Sequence, residues 1–254
     1  MARLKELVKW LDDYLKIEDF VKIDDSWNGL QVEGRSKVEK VALAVTFGLE
    51  AAKRAKEVNA DLLLVHHGLF WAKSNPSLRE ITKKRVELLL RNGISLYAAH
   101  LPLDAQPEIG NDAELLRILG AAKDAEFCFI EGKPISWIGK FRTAMPLKAI
   151  TQKLDAELKT KCVVLPFGPE KIKTVAVVTG GGGYPSFFEA QSKKVDLYIT
   201  GDTAEIWNEA KDNGINVIFA QHHATERLGV KALGKVLKEK FKVDVQFIDI
   251  PTGL

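Results

Sequence analysis

Only five histidines occur in this 254-residue protein, and all five close short apolar runs. His66 and His67 end the run in DLLLVHHGLFW, residues 61–71; His100 ends ISLYAAH; His222 and His223 follow NVIFAQ. Apolar runs of this length read as strands buried in a parallel sheet. Ligands of such sheets sit at the carboxyl ends of the strands, which puts these imidazoles where they can do chemistry. Two of the runs also bring a carboxylate four residues on, in His100-Leu-Pro-Leu-Asp104 and His222-His-Ala-Thr-Glu226. That step puts both side chains on one face of a helix, or folds both toward the sheet edge in a turn.

Imidazole and carboxylate together suit zinc, iron, nickel or manganese, and the set is larger than one open metal site needs. Two divalent ions bridged by a carboxylate would use it. His223 fits this set least and reads as a neighbour that packs or hydrogen-bonds. Adjacent strand residues point to opposite faces, so His66 and His67 can share a site only if the strand ends at Val65 or His66 and the chain turns, as Gly68 permits. A single histidine pair in a loop reads equally well as a hydrogen-bonded structural feature; it is the clustering of all five at strand ends that points to metal.

The elements that position these residues follow from hydrophobic periodicity. Leu4, Leu7, Val8, Leu11 and Leu15 predict an amphipathic helix over 3–17, and DDSWNGLQVEG, 24–34, a loop running into a short strand. Strands at 40–46 and 61–66 and one ending at His100 alternate with helices at 49–58, about 77–91 and 112–119. Such alternation implies right-handed crossovers and a parallel sheet. IKTVAVVTGGGG, VDLYITGD and NGINVIFAQHHATE repeat VEKVALAVTFGL, ADLLLVHHG and NGISLYAAHLPLDA at a separation of roughly 120 to 135 residues. The expected fold class is therefore α/β: two similar lobes related by internal duplication, with mainly parallel sheets flanked by helices, facing each other across a metal-binding cleft. The expected boundaries are 1–124 for the first lobe, 125–168 for a bridging antiparallel segment and 169–254 for the second. A long helix from about Thr225 to Phe241 and a last strand, Val243 to Ile250, would complete the second lobe. Thr225 would cap that helix and put Glu226 at its positive end.

Composition narrows the class. The chain is 46% hydrophobic and 28% charged, as soluble domains are, and no apolar run approaches the ~20 residues of a membrane span. The N-terminus lacks a signal-peptide core, so a cytoplasmic protein with no membrane partner is expected. A net charge of +3, with basic residues dispersed among acidic ones, does not imply nucleic-acid binding, though it leaves room for a local basic patch. Cys128 and Cys162 lie in strand-like runs without metal or redox spacing and are expected as buried free thiols. The run Gly180–Gly183, just before Pro185, reads either as an anion cradle at a helix N-terminus or as a tight turn. Asp202 is the second-half counterpart of His67; it either lines the same cleft or caps the following helix. Trp71 packs or walls the mouth of the site.

In order along the chain, NGLQVEG, HHGLFW, AAHLPLDA, GNDAELLRILGA and HHATER resemble the NIF-three-like family (NGG-interacting factor three), the GTP cyclohydrolase I type two homologues, in its short form without an inserted domain. The resemblance runs nearly end to end. It implies two divalent ions held by His66, His67, Asp104, His222 and Glu226, with Glu226 bridging, and gives His100 a part in proton transfer. It also implies a toroidal homohexamer with the metals facing an interior cavity. Many relatives have Trp-Asp-Asn before the NGL loop where this chain has Ser26-Trp27-Asn28, so no role of that aspartate transfers. Two bridged ions make hydrolysis the natural reaction, and the family name makes GTP the expected substrate. Asn28, Gly181 and Gly182 are candidate substrate contacts. A nucleotide phosphoesterase would use the same ligands; a non-catalytic metal-containing ring, associated with other proteins or with nucleic acid, is the rival from another class.

Overall fold

The computed structural model describes residues 1–253. Along the chain run β1 (Ala2–Arg3), α1 (Leu4–Leu15), a 3-10 turn at Ile17–Phe20, β2 (Gly29–Val32), β3 (Lys37–Val38), β4 (Lys40–Thr46), α2 (Leu49–Glu57), β5 (Leu62–His67), α3 (Glu80–Asn92) and β6 (Ser95–Ala98). There follow α4 (Leu101–Asp104), α5 (Asn111–Leu119), β7 (Ala122–Ile130), β8 (Lys133–Pro146), α6 (Leu147–Leu158), β9 (Val163–Pro166) and β10 (Lys171–Val178). The chain ends through α7 (Gly183–Ser192), β11 (Leu197–Thr200), α8 (Trp207–Asn213), β12 (Asn216–Phe219), α9 (His222–Phe241) and β13 (Asp244–Phe247). It divides into two units. One comprises Met1–Leu103 with Val230–Ile250, and the other is built on Asp104–Gly229.

In the first unit a five-stranded sheet runs in the order β13-β4-β5-β6-β2. Its first four strands are parallel, and β2 joins antiparallel to β6. Leu62, Leu63, Leu64 and Val65 are all fully buried, which is why β5 is a continuous apolar run without alternation. On one face of this sheet Ala42, Ala44, Leu63, Val65, Leu96 and Ala98 pack against Ala51, Ala52 and Ala55 of α2 and Leu89 of α3. Small alanines on α2 let the helix approach the sheet closely.

The second unit is built on a six-stranded sheet ordered β7-β8-β10-β11-β12-β9, parallel only through β10-β11-β12. Alternate residues of the parallel strands serve two cores. Val175, Val177, Leu197, Ile199 and Ile218 face one side, and Ala176, Val178, Tyr198, Val217 and Phe219 face the other. No helix among the described residues is long and apolar enough to cross a membrane. Cys128 and Cys162 are free, as expected, but half-buried rather than buried. Burial pushes the Cys128 thiol up to about 11, too high for ready thiolate chemistry.

Two expectations about the chain's organisation are corrected. Segment 125–168 does not stand apart as a bridge: β8 pairs antiparallel with β10 and β9 with β12, so its strands extend the second sheet on both sides. The last strand does not complete the second unit, because β13 pairs in parallel with β4 and closes an edge of the first sheet. Its alternating exposed and half-buried residues are those of an edge strand.

Leu64 has no exposed surface in the strand that carries the histidine pair. Replacing it with alanine removes buried methyl groups and leaves a cavity, at an expected cost of about 2–5 kcal/mol. Chemical denaturation followed by far-ultraviolet circular dichroism measures that loss; a cost below about 1 kcal/mol would mean that β5 is not the packed centre of its sheet.

Candidate metal centre

In the first unit the parallel strands deliver His66, His67 and His100 to one place. Their potential ligand atoms lie within 4.8 Å of one another. The ring centroids of His66 and His67 are 4.7 Å apart, and that of His100 lies 5.1 Å from the first and 5.5 Å from the second. The expectation that the strand must end at Val65 or His66 for His66 and His67 to share a site is corrected. The strand does not stop at His66 but continues to His67, which pairs with Thr46. Both rings still converge at the carboxyl end of the sheet.

The second nitrogen of each ring is held. His66 Nδ1 is 2.8 Å from the Ala99 carbonyl, which can only accept, so Nδ1 carries the proton and Nε2 the lone pair of the neutral ring. His67 Nδ1 lies 2.9 Å from Thr46 Oγ1. His100 Nδ1 lies 2.9 Å from Asp24 Oδ1. Such outer partners fix the tautomer and orientation of histidines that bind metals. Trp71 donates through Nε1 to the Gly68 carbonyl at 3.2 Å and stands edge-on to His100, walling the cluster.

Asp24 is the functional residue missed by the sequence reading. Its carboxylate is almost wholly buried. It accepts from four donors: His100 Nδ1, Ser26 N at 2.8 Å, Asn28 Nδ2 at 2.8 Å and Leu101 N at 3.0 Å. Burial pushes its pKa up, but the bonds from His100, Asn28 and Ser26 and the attraction of the imidazole outweigh it, leaving the group below its ordinary value. Asn28 completes the clamp by accepting from His100 N at 2.7 Å, so its amide is engaged within the protein at both ends. The only signal in the sequence was the density of short polar residues in IDDSWN, where Asp and Asn bond to nearby backbone.

In the second unit His222 and Glu226 share one face of α9, with His222 Nε2 3.0 Å from Glu226 Oε1. The helix begins at His222, so Thr225 lies inside its first turns instead of capping it. The Thr225 hydroxyl bonds back to the Gln221 and His222 carbonyls and accepts from Gly180 N. Asp202 does not cap a helix either; Oδ1 lies 2.9 Å from His222 Nδ1. The hydrogen bond to Glu226 is the main cause that raises the His222 pKa to about 9, with Asp202 adding and burial opposing. His223, one residue along the helix, is turned off the face that His222 and Glu226 share.

Asp104 is buried and accepts from Asn111 Nδ2 at 2.8 Å, while Asn111 Oδ1 accepts from Gly229 N of α9 at 2.7 Å. Asn111 thus ties Asp104 to the helix that carries His222 and Glu226. Asp112 is fully buried beside Asp104; burial and that neighbouring charge raise its pKa well above the carboxylate range. The glycine run has a packing explanation. A side chain at Gly180, Gly181 or Gly182 would collide with Glu226, Asp202 or the Tyr198 hydroxyl, respectively, and Gly180 also has a positive φ of 63°.

Residues 2–253 match a family model described as Duf34/NIF3 (NGG1p interacting factor 3). A protein of Archaeoglobus fulgidus named GTP cyclohydrolase 1 type 2 homolog is 44% identical over 252 residues, covering 99% of each chain. The Pyrococcus horikoshii protein of the same name is 46% identical over 251 residues, covering 98% of each. Among solved structures, TTHA1606 from Thermus thermophilus superposes with a TM-score of 0.89 at 38% identity, over the whole of both chains.

Two outcomes follow from this geometry. Two donors, Asn28 Nδ2 and Leu101 N, face Asp24 Oδ2 against one fixed backbone donor, Ser26 N, at Oδ1, so in Asp24→Asn the new NH2 group turns toward His100 and drives its ring to the Nε2–H tautomer. Nitrogen-15 histidine spectra of the metal-free variant report the change, and an unaltered Nδ1–H signature would deny Asp24 that control. For His222 the folded pKa is raised from 6.5 to about 9, so its stabilisation is complete below 6.5 and disappears as pH rises through 9. Thermal melts of the metal-free protein are expected to weaken over that window, and Glu226→Gln should flatten the profile.

Proposed function

The chain belongs to the Duf34/NIF3 family, and from that membership and the ligand geometry we propose a dinuclear, divalent-metal-dependent hydrolase of the GTP cyclohydrolase kind. The convergence of three imidazoles whose second nitrogens are held by a carbonyl, a hydroxyl and a carboxylate is the observation that carries this reading. The donor chemistry fits: neutral imidazole and carboxylate suit zinc, iron, nickel or manganese. His66, His67, Asp104, His222 and Glu226 are the residues that would hold the two ions. Bound there, the ions would supply hydroxide at neutral pH and positive charge for the atom attacked.

The remaining work falls to the protein. His100, locked with Nδ1–H toward Asp24, presents Nε2 as the group that takes a proton from the attacking water and returns it to the departing nitrogen. Water adds to the imidazole carbon of guanine, and hydrolysis of both its C–N bonds releases that carbon as formate. Asp202 orients His222 through Nδ1. Asp112, held toward its neutral form, leaves Asp104 as the carboxylate available to an ion. Substrate contacts by Asn28, Gly181 and Gly182 carry less weight, because the Asn28 amide and Gly182 N, which donates to Thr200 Oγ1 at 3.0 Å, are already engaged. The parallel triplets β4-β5-β6 and β10-β11-β12 support an internal duplication. Assembly as a toroidal hexamer completes the proposal.

Elemental analysis of the purified protein and of Glu226→Ala, paired with a GTP-turnover assay that detects formate, tests it. About two ions per chain, lost in the variant together with formate release, is the expected result. Two ions without formate would remove the cyclohydrolase assignment and turn the search to other nucleotide esters. No metal after reconstitution would remove the centre itself.

A further inference from the structure

The second unit holds a cation-lined cavity that the proposed chemistry does not use. A pocket of about 330 Å³ opens where β7, β8 and β10 lose register, bordered by Lys123, Lys140, Arg142 and Lys173 with Asp124 as its one acid. The β7–β8 ladder shifts between Lys123 and Ala125, and the β8–β10 ladder between Ile172 and Thr174. Irregularities on both sides of one strand re-aim side chains and open space that a regular sheet would close. Ala122 stands directly opposite Lys140, and its small side chain leaves that space unfilled. Buried Phe141 lies between the two basic residues of β8.

The charges here are unbalanced. Lys140 and Arg142, two residues apart on β8, both line the pocket, and Lys173 joins them from the neighbouring strand. None of the four cations forms an ion pair with a carboxylate among the described residues. Lys123 is spent elsewhere, donating to the Pro107 carbonyl and lying 4.6 Å from the Trp137 ring centroid. Lys173 is half-buried and donates to the Arg142 carbonyl at 2.7 Å, which holds its ammonium in place with two further N–H groups to offer. Like charges on adjacent sheet positions destabilise one another. The C-terminal end of α5 at Gly120 offsets them only by about half a charge.

We infer that this cavity is a binding site for a small phosphoryl oxyanion, either inorganic phosphate or the terminal group of a phosphate ester, held by Lys140, Arg142 and Lys173. Arginine supplies the planar fork that matches two phosphate oxygens, and the lysines supply point charge. The inference does not rest on the hydrolase reading.

The test is isothermal titration of the purified full-length protein with inorganic phosphate, and separately with a phosphate monoester, at low and moderate salt. The variant is Lys140→Ala/Arg142→Ala; both positions are exposed, and an unchanged melting temperature without ligand verifies folding. Lys53→Ala/Lys56→Ala, an exposed pair on α2, changes net charge equally and serves as control. The expected result is a site that weakens by about tenfold or more in the first variant and is unaltered in the control. If the monoester binds more tightly than phosphate, the occupant is an ester; the reverse order assigns the free ion. Equal affinity in all three proteins, or equal losses in variant and control, would overturn the inference. So would binding only to a single-stranded oligonucleotide, with a steep salt dependence, since that would mark an extended nucleic-acid surface.

Discussion

A histidine can serve a metal or carry a proton at a defined atom only when its other ring nitrogen is fixed, and this constraint organises the site. In the first unit the fixing groups are a backbone carbonyl, a threonine hydroxyl and a buried carboxylate. Each is chemically distinct, and only the carboxylate has a charge to lose. Asp24 is therefore the sensitive member. It sits in an almost wholly buried position that would ordinarily favour the neutral acid, and four donors keep it ionised. The loop from Asp24 to Asn28 holds the His100 ring through Asp24 and its backbone through Asn28.

The sheets supply precision at a scale that loops cannot. His66 and His67 end β5, and His100 follows β6, both inside a parallel array whose register is set by fully buried leucines and valines. In the second unit Gly180, Asp202 and His222 follow β10, β11 and β12, at corresponding ends of adjacent parallel strands. Because period-two alternation commits every other residue to a different core, slipping a parallel strand of the second unit by one residue would exchange the sets fitted to its two cores. The stability of the cores and the placement of the side chains at these strand ends are thus one property.

Much of this was legible in the sequence. Apolar runs closed by histidine located the strands and their carboxyl ends, and the four-residue step from His222 to Glu226 is a helical step. What could not be read was of two kinds. Edge pairing was one: the last strand is weakly apolar, and nothing local tells it to join β4. Outer-layer polar contacts were the other. Asp24, Asn111 and Asp202 are ordinary short polar residues in sequence, and their roles depend on partners 76, 118 and 20 positions away. The glycine run was legible as special but not as to why; the requirement comes from Glu226, Asp202 and Tyr198, which a one-dimensional pattern does not place beside it.

The same reasoning explains why two neighbouring buried aspartates, Asp104 and Asp112, can be tolerated in the second unit. Two full negative charges side by side away from water would repel strongly, so one must yield its charge. Asp112 is the one that yields: burial, then the neighbouring Asp104 charge, raise its pKa well above the usual carboxylate value, against the opposing bond that it accepts from Thr179 N at 2.7 Å. Asp104 has the Asn111 amide instead, and Asn111 spends its remaining acceptor on α9. On the proposed reading, a divalent ion at Asp104 would add positive charge that favours the same split. The amide of Asn111, bonded to Asp104 on one side and to Gly229 N of α9 on the other, keeps Asp104 oriented beside its neutral neighbour.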